Sequence, residues 1–237
     1  MKKTRKEFLM GVILLIIFVI YTISLKFIDV RAIGPKGSLV GYGLVNNFIH
    51  KLFGVHLKIY NITDWLGIIV IFIAIGFGFL GLFQWIKRKS IFKVDFSILL
   101  LGIFYLLVFG VYLFFEFKVI NYRPILINGK LEASYPSSTT MLSMCIIPTA
   151  IIELNRLIND KKIKKIIKYI CLIFIVFMVI GRLISGVHWF TDIFGGFLFS
   201  LSMVLIYNSI IKFIDENRGK KLWRQFWLLM MTLILEI

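Results

Sequence analysis

The chain is poor in the residues that build metal centres and disulfides. Its 237 residues include two cysteines and three histidines, and 12 acidic residues stand against 28 lysines and arginines. Cys145 and Cys171 each lie inside an apolar run, where thiols rarely form a disulfide, and neither has metal-ligand spacing. The sequence therefore predicts no metal site and no cofactor.

Charge is also scarce, which argues against a soluble domain. Only 17% of the residues are charged and 59% are hydrophobic, with a mean hydropathy of +0.92, whereas soluble domains have about 25% charged and about 45–50% apolar residues. The net charge of +16 lies mainly in short connectors between apolar runs, where basic residues meet anionic lipid headgroups. We predict a single membrane domain over 1–237, with membrane lipids and not nucleic acid as its partners.

Apolar runs of spanning length recur six times. Each has the roughly 17–23 residues that a hydrocarbon core about 30 Å thick requires, and continuous runs of this length indicate helices. The first run is too long for a signal peptide and lacks a clear cleavage site, so we interpret it as a retained span. The predicted fold class is all-α, a polytopic bundle of six transmembrane helices. The runs cover 8–25, 65–86, 96–117, 138–158, 166–184 and 190–211.

The distribution of basic residues predicts the orientation. Nineteen of the 28 lysines and arginines lie in four connecting or terminal segments, and by the positive-inside rule these segments are cytoplasmic. We therefore expect a multi-pass protein of the cell membrane with both termini in the cytoplasm. Arg123, Arg182 and His188 would then face outward. The four basic segments are 1–7, 87–95, 155–168 and 212–224.

Two segments lie outside the six predicted spans. The outward loop 26–64 contains His50 and His56, and its part 45–53 has apolar residues near helical spacing, which predicts an interfacial helix. This helix would serve either as an anchor or as a lid or lipid-entry element. The tail 212–237 is predicted to be cytoplasmic or interfacial, with an interfacial helix over 222–237.

Three polar segments, all predicted to face outward, carry the chemistry. They are 118–124, 134–140 and 182–192. An arginine offers a planar fork of donors that suits phosphate oxygens, and a Ser- and Thr-rich helix start attracts anions. His188 and Asp192 are four residues apart, so on a helix they would share one face and could hydrogen-bond. The segments indicate either phosphoryl chemistry or a buried polar network that only fixes helix packing.

The three segments resemble the signature of the type 2 phosphatidic acid phosphatase/haloperoxidase superfamily, in its membrane lipid phosphatase branch. That signature reads Lys-x6-Arg-Pro, then Pro-Ser-Gly-His, then Ser-Arg-x5-His-x3-Asp. Arg182, His188 and Asp192 match the third motif in residue type and spacing, while Arg123-Pro124 and Pro136-Ser137 match less specifically. The resemblance covers roughly 95–211, which would be the phosphatase-like core.

The resemblance implies a metal-independent mechanism and a role for each matching residue. His188 would be the nucleophile that forms a phosphohistidine, and Asp192 would orient its imidazole. The phosphate and its transition-state charge would be held by side chains and amides of the other matching positions. These are Arg123, Ser137, Ser138 and Arg182.

The chain departs from the signature at two positions that bear on catalysis. Thr139 replaces the histidine that protonates the leaving group, and loss of such an acid typically costs about 10²–10⁴-fold in rate. The motif lysine would stand at position 116, which is Glu116, and Lys118 lies two residues later. Glu132 is a candidate substitute acid, as are the two histidines of the outward loop.

The predicted function is removal of a phosphate from a lipid phosphate or diphosphate. The substrate would belong to the polyprenyl diphosphate class or to the phosphatidate/phosphatidylglycerophosphate class. The missing acid favours a diphosphate lipid over phosphatidate, because the leaving group of a diphosphate has a low pKa. Two alternatives remain open: a catalytically impaired member that binds lipid phosphate, and a phosphotransferase that passes the phosphoryl group to an acceptor other than water.

Overall fold

The computed structural model describes residues 2–217, and this part of the chain forms seven α-helices and no β-strand. Six of the helices are long and apolar enough to cross a membrane, which confirms the predicted all-α fold with six spans. The helix predicted over 222–237 lies outside the described residues. The helices are α1 Lys2–Ser24, α2 Gly43–Phe53, α3 Leu57–Arg88, α4 Phe96–Phe117, α5 Ser138–Leu157, α6 Lys161–Ile184 and α7 Phe190–Asn217.

Two of the predicted boundaries are wrong because helices continue past the apolar runs. α3 begins at Leu57, so residues 57–64 are helical and the loop ends at 56 and not at 64. α7 continues to Asn217, so the first six residues of the predicted tail belong to the last span. A 32-residue helix is about 48 Å long, well beyond a hydrocarbon core of about 30 Å. The helix therefore extends beyond the apolar run 65–86 into the polar residues at both of its ends.

The first and last spans form a tightly packed pair. α1 makes its most extensive contacts with α7, and the Ser202 hydroxyl donates to the Gly11 carbonyl at 3.0 Å. A Cβ on Gly11 would lie 2.7 Å from the Ile206 side chain, so the close approach requires glycine here. At one end of the pair, Lys212 contacts Glu7 at 2.7 Å. The first span thereby fixes the position of α7.

α5 and α7 form the centre of the bundle. Half of each spanning segment is buried within the protein, against 11% for α1 and for α3. The core at one end of these helices is aromatic, with Tyr135 in contact with the rings of Phe18 and Phe115. The two helices that begin within the second and the third polar segments are thus the most buried of the six spans.

All three polar segments meet at this same end of the bundle. The segment 118–137 joins the end of α4 to the start of α5, and the turn 185–189 joins the end of α6 to the start of α7. The stretch 134–137 of the first connection and the whole turn 185–189 are buried, and they contact each other where the three motifs meet.

α2 lies at the same end. It starts at Gly43 and ends at Phe53, so the helix predicted over 45–53 is present. Leu44, Phe48 and Leu52 are 59%, 68% and 65% exposed and follow one another at four-residue spacing on one face. Asn46, in contrast, is fully buried.

Candidate active site

His188 lies in the short turn between α6 and α7, which we call the histidine turn, residues 185–189. Its side chain is 4% exposed, and Nδ1 lies 3.0 Å from the Ser134 hydroxyl and 3.1 Å from the Ser134 carbonyl oxygen. A carbonyl can only accept, so this contact assigns the proton to Nδ1. The Nε2 atom then carries a lone pair. It is buried and has no hydrogen-bond partner among the described residues.

Asp192 holds this turn in place and acts on His188 through a serine. One carboxylate oxygen accepts from the Ser134 hydroxyl at 2.5 Å and from the Trp189 amide at 2.9 Å, while the other accepts from Asn121 at 3.2 Å. The His188 Nδ1 atom lies 3.9 Å from the nearer oxygen, beyond hydrogen-bond distance. The expectation that the two residues share a helix face and bond directly is wrong, because α7 begins at Phe190, after the histidine.

Arg123 approaches His188 from the connection between α4 and α5. Its Nε atom lies 3.2 Å from a Glu132 carboxylate oxygen, an ion pair without hydrogen-bond alignment. Nε and Nη1 are both buried and have no hydrogen-bond partner in the described chain. The guanidinium group therefore keeps donors that an anion could use.

Arg182, 2% exposed, is held by groups from two other helices. Nη2 donates to Asp64 at 2.9 Å and to the Thr139 hydroxyl at 2.5 Å, and Nη1 lies 3.3 Å from both the Tyr60 carbonyl and the Thr63 hydroxyl. Nε is buried and is the guanidinium nitrogen without a hydrogen-bond partner in the described chain. Thr139, at the position of the motif histidine, thus serves as a hydrogen-bond partner of this arginine.

The two guanidinium groups lie beside the same aromatic ring. The centre of the Tyr60 ring is 5.8 Å from the guanidinium carbon of Arg123 and 4.6 Å from that of Arg182. Burial, and next the positive charges of both arginines, hold the pKa of His188 well below its ordinary value. The imidazole is therefore neutral, the form in which Nε2 is a nucleophile.

The start of α5 adds further donors. The Ser137 hydroxyl is buried, does not cap the helix and has no hydrogen-bond partner among the described residues, and Ser138 is the first residue of α5. The amides of an uncapped helix start carry partial positive charge and attract anions. The Ser137 amide donates to the Asp192 carbonyl at 3.0 Å, which ties this helix start to α7.

Arg123, Ser134, Ser138 and His188 line a cavity of about 270 Å³, which we call the polar cavity. Glu116 lines it at the position of the motif lysine, whereas Lys118 does not. His50 and His56 also lie outside the lining. Their ring nitrogens lie at hydrogen-bond distance from the carbonyl oxygens of Gly186 and Phe53. The lining consists of Tyr112, Phe115, Glu116, Arg123, Glu132, Ala133, Ser134, Tyr135, Pro136, Ser138 and His188.

A second cavity, the apolar groove, runs between α3 and α4 and measures about 1200 Å³. Tyr112 and Ser138 line both cavities, so the groove begins where the polar cavity opens. On α3 its lining extends from Asp64 to Trp85, a rise of about 32 Å along the helix. The groove is therefore about as long as a hydrocarbon core is thick.

Residues 114–215 match the family model described as the PAP2 superfamily. This match confirms the predicted resemblance to that superfamily over residues 114–215. Its fold is similar to that of a transmembrane PAP2-type phosphatidylglycerolphosphate phosphatase from Bacillus subtilis, with a TM-score of 0.57 and 20% identity over 89% of this chain and 98% of that one. A comparison with curated proteins gave no match.

Within this candidate site, sequence reasoning overlooked three residues that the fold brings in. Asp64 was assigned to a loop, although an acidic residue beside an apolar run of spanning length is itself a signal. Ser134 and Asn121 stood inside the polar segments but had no predicted role. Their contacts with Asp192 join chain positions 58 and 71 residues apart, which no local pattern records.

Proposed function

We propose that this protein is a membrane lipid phosphatase that removes a phosphate from a lipid diphosphate or monophosphate through a phosphohistidine on His188, without a metal ion. One observation carries the proposal. His188 and Arg123 line the polar cavity, both arginines lie beside the Tyr60 ring, and polar atoms of four residues in this region are buried without partners among the described residues. They are Nε2 of His188, Nε and Nη1 of Arg123, Oγ of Ser137 and Nε of Arg182. Buried polar groups are normally paired, and a tetrahedral oxyanion supplies acceptors for such donors.

The proposed reaction has two steps. The Nε2 lone pair of His188 attacks the phosphorus atom, and the bond from phosphorus to the lipid oxygen breaks. The Nδ1 proton stays between the ring and Ser134, and Asp192 stabilises the positive ring through the Ser134 hydroxyl. Water then attacks phosphorus as the bond from Nε2 to phosphorus breaks, and the products are neutral His188 and dihydrogen phosphate, which keeps both protons of the water. Arg123, Arg182 and the start of α5 stabilise the charge in both transition states.

The apolar groove supports a lipid as the substrate. It opens beside the polar cavity, and its length along α3 matches the thickness of a membrane interior. A phosphate held in the polar cavity would leave its hydrocarbon chain in the groove. From the basic connectors, we propose that the site faces outward and that both termini are cytoplasmic. The phosphatase-like core over 95–211 stays a prediction.

The missing motif histidine favours a diphosphate lipid, such as a polyprenyl diphosphate. Thr139 has no acidic proton to give and is bonded to Arg182. A leaving phosphate monoester needs less protonation than a leaving alcohol, so the diphosphate tolerates this loss.

The deciding experiment measures phosphate release by the purified protein in detergent against a panel of lipid phosphates and diphosphates. We expect release from a diphosphate lipid, and loss of release by about 10³-fold or more in His188→Ala, because no other group replaces the nucleophile. Release that is equal in the variant rejects the mechanism. Saturable lipid binding without release favours a binder, and phosphoryl transfer to an added alcohol favours a phosphotransferase.

Of the three candidate acids, Glu132 lines the polar cavity, beside Arg123, whereas His50 and His56 do not. If it protonates the leaving group, Glu132→Gln slows turnover of a lipid monophosphate by about 10²-fold or more and that of a diphosphate far less. Turnover of both substrate classes is compared in one preparation. Equal slowing of both classes shows that Glu132 only positions Arg123.

A further inference from the structure

The segment 41–56, which contains α2, contacts the histidine turn and the start of α7 at several points. The buried Asn46 side chain donates to the Thr191 hydroxyl at 2.9 Å and to the Gly41 carbonyl at 2.8 Å, and it accepts from the Thr191 amide at 3.1 Å. The start of α7 is therefore capped by a residue 145 positions earlier in the chain.

The same segment contacts the turn itself. The His56 amide donates to the Ser185 carbonyl at 2.9 Å, and the His50 ring lies 3.2 Å from the Gly186 carbonyl and 5.4 Å from the Trp189 ring. Gly186 has φ +64, and a Cβ there would meet the Gly54 carbonyl oxygen at 1.9 Å. The two backbones therefore approach as closely as glycine allows.

These contacts hold the chain both before and after His188. The His188 ring contacts Ser134, and the residues at 185, 186, 189 and 191 contact the 41–56 segment. None of these contacts involves a group that lines the polar cavity, apart from His188 and Ser134 themselves. They fix position without touching a substrate.

We propose that α2 positions the nucleophile, with Asn46 as the principal positioning residue. α2 connects to α3 through residues 54–56 and to α1 through the longer connection 25–42, and it lies at the same end of the bundle as the histidine turn. Its exposed apolar face, formed by Leu44, Phe48 and Leu52, rests in the lipid interface, while its buried edge holds the histidine turn. This proposal rests on the proposed function of His188.

The test compares Asn46→Ala with Asn47→Ala, the adjacent asparagine on the same helix, which makes none of these contacts. Single-turnover formation of the phosphohistidine is measured with a labelled lipid diphosphate, together with lipid affinity and the thermal midpoint. We expect Asn46→Ala to slow formation about 10- to 100-fold, because small displacements of a reacting atom have effects of this size. Affinity and thermal midpoint should stay close to those of Asn47→Ala. Equal rates in the two variants overturn the proposal, as does a rate loss that follows a fall in thermal midpoint.

A conservative variant and a second readout keep the test independent of folding and of the reaction. Asn46→Asp retains an acceptor for the Thr191 amide, so it should recover part of the rate. Amide hydrogen exchange over 185–192 should be faster in Asn46→Ala than in Asn47→Ala even if the protein has no phosphatase activity. Unchanged exchange rejects the positioning role. Faster exchange in a protein that forms no phosphohistidine rejects the proposed function and leaves the structural role in place.

Discussion

At the residue scale, the most informative group is the imidazole of His188, because its two nitrogens have different surroundings. Nδ1 contacts a carbonyl that can only accept, and Nε2 is buried without a partner among the described residues. The ring is thus oriented and held in one tautomer before any substrate binds. Ser134, which stands between this ring and Asp192, transmits the effect of the carboxylate.

The environment of His188 predicts the acid limb of the pH profile. Burial, Arg123 and Arg182 all lower the pKa of His188 in the folded protein, so the nucleophile stays neutral as pH falls through the ordinary histidine range. We expect kcat/KM, which reports the free enzyme, to lose activity only below about pH 6.5, the unperturbed histidine pKa. A rate profile between mildly acidic and neutral pH tests this. A limb centred above that value would contradict the assigned environment.

At the scale of helices, α3 supplies one wall of the apolar groove and also holds an arginine of the site. Tyr60, Thr63 and Asp64 occupy adjacent turns near its start, and all three contact Arg182, which lies on α6. Their spacing of three and four residues places them on one face of the helix. A helix that looked like a simple span from its hydropathy thus contributes directly to the site.

Asp64→Asn tests this contribution. The substitution keeps the size of the side chain but removes the charge that pairs with Arg182. The Asp64 side chain is 59% exposed, so solvent screens the pair. We expect kcat/KM for a lipid phosphate to fall about 3- to 10-fold. Asp215→Asn, which breaks an arginine pair at the opposite end of the bundle, is the matched control. Similar activity in both variants would show that Arg182 does not need Asp64.

At the scale of the whole molecule, the polar cavity and the apolar groove share a boundary. Polar groups that could hold a phosphate therefore lie next to an apolar surface that could hold a lipid chain. The polar cavity lies among buried groups of α4, α5 and the histidine turn, and the apolar groove continues from it between α3 and α4. Under the proposed function, phosphate chemistry and lipid recognition would be separated in space but connected through Tyr112 and Ser138.

Filling the groove should affect long lipids selectively. Gly78 lines the groove, and a Cβ there meets no atom within 4 Å, so Gly78→Phe blocks the groove without a clash with the backbone. We expect slower turnover of a long-chain polyprenyl diphosphate and unchanged turnover of a soluble short-chain analogue. Gly76→Phe is the matched control, because Gly76 is equally open but lies outside the lining. Equal turnover of the long-chain lipid in both variants would remove the groove from substrate binding.

The amino-acid sequence by itself determined the class of the fold and pointed to most of the residues that the structure places in the candidate site. Runs of spanning length indicate helices because a bilayer has one thickness and no free hydrogen-bond partners for the backbone. The spacing of Arg182, His188 and Asp192 marked the third motif, and its resemblance indicated the PAP2 superfamily, which the family match confirms.

Only the tertiary structure decided how these residues work together. Three sets of contacts join residues at least 43 positions apart in the chain. Ser134 lies between His188 and Asp192, Asp64 and Thr139 hydrogen-bond to Arg182, and Asn46 hydrogen-bonds to Thr191 at the start of α7. The sequence shows that position 139 is a threonine, but it does not show that this threonine hydrogen-bonds to Arg182. Such contacts depend on which helix ends become neighbours, and this follows from packing across the bundle, which local periodicity does not encode.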